Sequence, residues 1–155
     1  MADPDSLSHR DQGRSLGREE RAVRTWVRLA RVYGRMLRSL ETQVRAHGLS
    51  LGQFDVLTHV ARSEGLNQQE LAGQLLVTKG NISHLVDRLE ASGLVERRQG
   101  RGRACHLYAT DAGLALLAAI IPAHDALIGD LLASLETDRL AELHETLRSL
   151  DRALE

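Results

Sequence analysis

Arg97, Arg98, Arg101 and Arg103 crowd the stretch ERRQGRGR, with glycines at 100 and 102 and no acid between the first arginine and the last. Guanidinium groups at this density, on a glycine-loosened turn, suit contact with a polyanion, because each presents a planar fork of donors that fits phosphate oxygens. A second stretch with chemistry to offer lies just upstream. In KGNISHLVDRLEAS the apolar residues Ile82, Leu85, Val86 and Leu89 recur at helical spacing and leave Lys79, Gly80, Asn81, Ser83, His84, Asp87 and Arg88 outside. A helix entering the major groove N-terminus first uses residues of this kind. Lys79 meets a phosphate or a guanine, Gly80 permits close backbone approach, and Asn81, Ser83 and His84 are short donors and acceptors for base edges. Arg101 and Arg103, at the tip of the basic turn, reach the adjacent minor groove, where negative potential concentrates. Arg97 and Arg98 precede the tip and meet phosphates or acids such as Asp87. Asp87 and Arg88 themselves read as structural pairing rather than base contact.

The elements that must position these side chains are legible as well. From Glu19 to Ala46 the residues Val23, Trp26, Leu29, Ala30, Tyr33, Met36, Leu37, Leu40 and Val44 step by three and four, one face of a long helix, with an arginine stripe opposite that reads as solvated. Gly48 ends it and Ser50 caps a second helix, LGQFDVLTHVARS. Asn67 and Glu70 have capping-box spacing for a short helix, and Thr78 reads as the N-cap of the next. Two short helices joined by Leu76-Val77-Thr78 make a helix-turn-helix. LVERR and ACHLYAT flank the arginine turn as a β-hairpin. Thr110 or Asp111 opens a long apolar helix with Pro122 as an expected kink, and Thr137 or Asp138 opens the last helix. There Leu140, Leu143, Leu147, Leu150 and Leu154 form a coiled-coil-like seam. The expected fold is mainly α with a small β-hairpin wing: a winged helix-turn-helix between long N- and C-terminal helices.

Size and composition agree with this. A chain of 155 residues, 43% hydrophobic and 3% aromatic, suits one mostly helical domain. Charge is unevenly spread: ten arginines face six acids in residues 1–47, seven basic residues face six acids in 48–110, and three face nine in 111–155. Such asymmetry suits a molecule that presents one end to an anionic partner. No uninterrupted run of about 18 apolar residues is present, so no membrane span is expected. Residues 1–18 read as a disordered leader without the apolar core of a signal peptide. The single cysteine, Cys105, fits a reducing cytoplasm and reads as structural, since it has no partner thiol. Seven scattered histidines show no metal-ligand spacing, and His47, His59 and His124 would have to converge in space to matter. No phosphate loop, nucleophile elbow or catalytic triad signature appears, so neither an enzyme nor a cofactor is expected.

Residues from about 20 to 153 resemble the MarR family of bacterial repressors, and LSLGQFDVLTHVA, NQQELAGQLLVTKGNISHLVDRLEASGLVERR and LYATDAG carry the resemblance. The family resemblance implies a single domain over 19–155, with a winged helix-turn-helix core at about 50–110 and dimerisation helices at about 19–47 and 111–154. It implies a cytoplasmic homodimer on a palindromic double-stranded DNA operator, released by a small-molecule effector, for which an anionic aromatic compound is the candidate. Carried over to this chain, the effector pocket falls on Tyr33, Met36, Asp55, His59 and Arg62. One departure is visible: Arg101 stands where the family's wing usually carries an aspartate, in a turn about two residues shorter. The competing function is a winged-helix protein–protein module without DNA, disfavoured by an acid-free tip and the lack of aromatic anchors.

Overall fold

The computed structural model describes residues 17–75, 79–100 and 105–154, and of Lys79 and Gly80 only the backbone. Six helices and two strands follow in the order α1 (Arg18–Arg45), α2 (Leu51–Arg62), α3 (Gln68–Gln74), α4 (Lys79–Ala91), β1 (Val95–Gln99), β2 (Cys105–Ala109), α5 (Asp111–Leu132) and α6 (Thr137–Leu154). The expected leader, except for Gly17 and Arg18, lies outside the described residues, as do the Leu76–Thr78 turn with its Thr78 cap and the wing tip.

The chain divides into two compact units between Arg35 and Met36. Of the first, the described part is the N-terminal portion of α1, whose Val23, Trp26, Val27, Leu29, Val32 and Tyr33 are all exposed. The second unit carries the core: Val44, Phe54, Val56, Leu57, Val60, Leu71, Ile82, Val86, Leu89, Val95, Leu107, Leu117 and Ile120 are buried together.

Local chemistry explains where the elements begin and end. Ser50 Oγ accepts from Gln53 N at 3.2 Å while Gln53 Oε1 accepts from Ser50 N at 2.9 Å, the reciprocal pair that starts α2. Glu41 Oε2 adds a third bond, accepting from Leu51 N at 2.8 Å, and places a negative charge at the helix's positive end. Asn67 and Glu70 form the same reciprocal box at α3. At the end of α4, Gly93 adopts φ +70, and its N–H and that of Leu94 bond back to Glu90 and Leu89. These two bonds absorb carbonyls the helix would leave open, a task for which a residue without Cβ is suited.

The wing strands pair antiparallel, with Val95 opposite Ala109, Arg97 opposite Leu107 and Gln99 opposite Cys105. Leu66 bridges Leu107 on the other edge of β2, an isolated β-bridge that the sequence reading did not anticipate. Thr110 links wing to helix, since its hydroxyl donates to Gly93 O and accepts from Gly113 N at the start of α5. Gly113 has no room for a side chain: a Cβ there would stand 2.2 Å from Leu94 O. α5 runs through Pro122 without ending. Among the described residues it is the helix long and apolar enough to cross a membrane by length and composition, which a count of uninterrupted apolar residues had missed. Its Leu117, Ile120 and His124 are instead buried in the second unit.

Candidate nucleic-acid interface

Helix α4 separates its two faces as its sequence demands. Ile82, Val86 and Leu89 are fully buried and Leu85 partly so, which fixes the rotation of the helix. Asn81, His84 and Arg88 fall on one exposed row at three- and four-residue steps, with Ser83 half-buried beside it. Asp87 and Glu90, one turn apart, occupy a second exposed row.

That second row holds Arg97. From β1 its guanidinium donates to Asp87 Oδ1 at 2.6 Å through one terminal nitrogen and to Glu90 Oε2 through the other. Only 23% of the Arg97 side chain is exposed. This partial burial opposes the charge, but the hydrogen bonds and Coulomb attraction of Asp87 and Glu90 outweigh it and raise the Arg97 pKa. Of the two partners expected for Arg97, phosphates or acids, the acids hold it in the chain on its own. Asp87 pairs with Arg97, whereas Arg88 stays in the outward row. Glu90 as the second acid had no signal in the sequence beyond its helical distance from Asp87.

Arg98 points to the opposite face of the hairpin. Its guanidinium lies 4.2 Å from the centre of the Tyr108 ring and pairs with Glu96, leaving the group 60% exposed. Opposite Arg98 in the register, His106 Nδ1 lies 2.6 Å from Gly65 O and ties the outer face of the wing to the loop before α3. Arg101 and Arg103 lie outside the described residues; the strands that flank them in sequence are clamped on one face by Arg97 and on the other by His106. Cys105 is exposed at the start of β2.

The residues expected to line an effector pocket differ in exposure. Met36, Asp55 and His59 are half-buried, while Tyr33 and Arg62 are exposed. His59 Nδ1 is 2.9 Å from Asp55 O, a bond within α2. Burial pushes the Asp55 carboxyl pKa up, against the pull of His59 and His124 and with the push of Glu41. A polar group the sequence reading did not assemble lies around it. His124, 9% exposed, packs at a tilt against the Phe54 ring, with centroids 4.6 Å apart, and its Nδ1 lies 3.2 Å from Gln43 Oε1. Among the described residues, Gln43 Nε2 and Thr58 Oγ1 are buried and have no hydrogen-bond partner. His59 and His124 both act on Asp55, whereas His47 is exposed. Among the described residues no three His, Cys, Asp or Glu side chains gather closely enough to hold a metal ion. A separate open groove of about 500 Å3 is lined by Leu37, Arg38, Glu41, Thr42, Arg45 and Leu51. The leucine seam of α6 is wholly exposed, from 37% at Leu140 to 78% at Leu154.

Comparison with known proteins gives this arrangement a family. Residues 47–104 match the model of the MarR family. Over 131 residues the chain is 25% identical to the HTH-type transcriptional regulator MhqR of Bacillus subtilis, covering 83% of this chain and 90% of that one. The fold is similar to that of Sco3205, a MarR family transcriptional regulator from Streptomyces coelicolor solved in complex with DNA. The TM-score is 0.79 at 26% identity, over 91% of this chain and 94% of that one. It is also similar to CouR from Rhodococcus jostii RHA1, solved bound to p-coumaroyl-CoA, with TM-score 0.70 and 28% identity over 79% of this chain and 87% of that one. MhqR and Sco3205 are transcriptional regulators rather than enzymes, and so are the MarR family proteins whose model residues 47–104 match. Over residues 47–104 the chain matches the MarR family, and its fold is that of the family's DNA-binding winged helix-turn-helix transcriptional regulators.

Proposed function

We propose that the protein is a cytoplasmic repressor that binds a palindromic operator as a homodimer and leaves it when a small ligand binds. The observation that carries the DNA-reading part is the exposed row Asn81, His84 and Arg88 on a helix whose orientation is locked by its buried face and by Arg97. In this reading Lys79 and Gly80 bring the helix start against the backbone, Asn81, Ser83 and His84 read base edges, and Arg98, Arg101 and Arg103 serve the wing. Arg97 acts through position, by holding the wing strand on α4. The core at about 50–110 reads DNA, and the helices at about 19–47 and 111–154 join two copies.

Dimerisation is supported by what a single chain leaves uncovered. Leu140, Leu143, Leu147, Leu150 and Leu154 on α6 are all exposed, and so are Trp26, Val27 and Tyr33 on α1. Rows of this size on long helices are unfavourable in water and favour a second copy. An effector is supported by the unpaired Gln43 Nε2 and Thr58 Oγ1 near Asp55, His59 and His124, since buried polar groups without partners are costly and a ligand can satisfy them. An anionic aromatic compound is the class we assign, with Tyr33, Met36 and Arg62 as further candidates for its pocket.

The test is fluorescence anisotropy against labelled duplexes tiled across the gene's upstream region, at two salt concentrations. One palindromic tile bound tightly and with steep salt dependence is expected. Uniform binding to every tile would remove the sequence-specific reading, and no binding at low salt would leave the protein–protein module. The bound tile then serves to screen aromatic carboxylates and their thioesters for release.

A further inference from the structure

The first part of α1 carries a feature that operator reading does not use. Arg21, Arg24, Arg28, Arg31 and Arg35 fall at three- and four-residue steps on one face, and every one is exposed. The apolar residues Val23, Trp26, Leu29 and Tyr33 lie on other faces of the same helix. From Arg21 to Leu40 the sequence contains no acid at all. Glu19 and Glu20 sit at the start of the helix, where Glu20 pairs with Arg24 at 2.8 Å. A merely solvated helix face interleaves the two signs, because opposite charges four apart stabilise it and like charges weaken it. Here Arg21–Arg24, Arg24–Arg28, Arg28–Arg31 and Arg31–Arg35 are four successive like-charge neighbours. A polyanion laid along the face relieves that repulsion.

We propose that this arginine face binds the phosphate backbone of double-stranded DNA outside the site read by α4 and the wing. The five side chains extend over about 21 Å of helix at 1.5 Å per residue, enough to follow a backbone for several nucleotides. Guanidinium forks match phosphate oxygens in geometry as well as charge. The chain's own acidic end is a poorer partner. Two of its carboxylates already face arginines within α6, Glu142 with Arg139 at 2.9 Å and Glu145 with Arg148 at 3.7 Å. The proposal uses the DNA-binding assignment but does not depend on the operator or the effector.

The test compares full-length wild type with a variant in which Arg21, Arg24, Arg28, Arg31 and Arg35 are all changed to Gln, which keeps helix propensity. Affinity for a random-sequence duplex is measured as a function of salt. Five phosphates contribute a slope of about −4.5 in log affinity against log salt, or about 500-fold between roughly 50 and 200 mM. The variant is expected to lose that part of the slope. Preloading with unlabelled operator distinguishes the two sources of backbone. Wild type that still captures a second labelled duplex bridges two DNAs, whereas a loss seen only on lengthened operator duplexes assigns the contact to the flanks of one.

A second variant, Asn81→Ala with His84→Ala, separates this proposal from the operator reading, because it loses sequence preference and keeps the slope. An unchanged slope in the five-arginine variant overturns the proposal. So does a slope loss accompanied by dissociation of the dimer, which would place the arginines against the partner's acids. Binding of wild type to anionic phosphatidylglycerol vesicles, with no arginine-dependent DNA binding, also overturns it.

Discussion

Arg97 has two roles in the proposed reading. It holds β1 on α4, and it neutralises Asp87 and Glu90, which would otherwise repel a duplex beside the reading row. Arg97→Ala is expected to weaken operator binding about tenfold, near 1.4 kcal/mol, the range for a charged hydrogen bond partly screened by water. Arg97→Lys restores the charge but not the fork and is expected to recover only part of the loss. Equal anisotropy titrations for wild type and Arg97→Ala would remove the positioning role. In the proposed reading Asn81 and His84 act at the bases themselves. Ala at either is expected to relax preference at one operator position by roughly 1–3 kcal/mol, read by titrating single-base variants. Wild-type preference in either variant would strike that residue from the reading set.

Helix α2 depends on contacts at its ends and sides that respond to pH in opposite directions. Glu41 accepts from Leu51 N and pairs with Arg45 at 2.7 Å, and the backbone bond above all holds its pKa below the ordinary carboxylate value. A lowered pKa contributes stability present above the unfolded value and lost as pH falls through the folded one. Glu41→Gln is therefore expected to cost about 1 kcal/mol near neutral pH, and the deficit to shrink in acid. Asp55 is the reverse case, raised chiefly by burial. Its contribution is fully present below the unfolded pKa and lost as pH rises through the folded value, so Asp55→Asn is expected to stabilise the protein most above that value. Urea unfolding of both variants across pH checks the two signs, and parallel pH profiles for the pair would refute the assignment. Between wing and α5 the constraint is steric. Gly113→Ala would drive a methyl into Leu94 O and is expected to cost about 3 kcal/mol in the same unfolding experiment, the upper range for overpacking. A wild-type midpoint there would mean that the α5 start yields easily.

For the molecule as a whole, the proposed assembly turns on the exposed leucines of α6. Leu143→Glu together with Leu147→Glu puts two charges in the middle of the seam while leaving the core of the second unit untouched, since no residue of α6 is buried. The variant is expected to run as a monomer by light scattering and to lose more than about tenfold in operator affinity, because two half-sites no longer share one ligand. A dimer that keeps its mass and its DNA affinity would place the interface elsewhere.

Much of this was legible in the chain alone. The span of every helix, the boxes at Ser50 and Asn67, the Thr110 cap, the hairpin and the two faces of α4 follow from period, cap chemistry and glycine placement. These are forces between residues a few positions apart, so one sequence states them. The family resemblance drawn from the same residues agrees with the matched relatives. Tertiary structure decided what distance along the chain conceals. It joined Arg97 to Glu90 as well as Asp87, added Leu66 to the edge of β2, and brought α5 against Leu94. It also set Gln43, Phe54 and His124 together from three helices. Nothing in the local pattern of α5 distinguishes His124 from a solvated histidine. Its neighbours are chosen by how three apolar faces pack, and that choice belongs to the core as a whole.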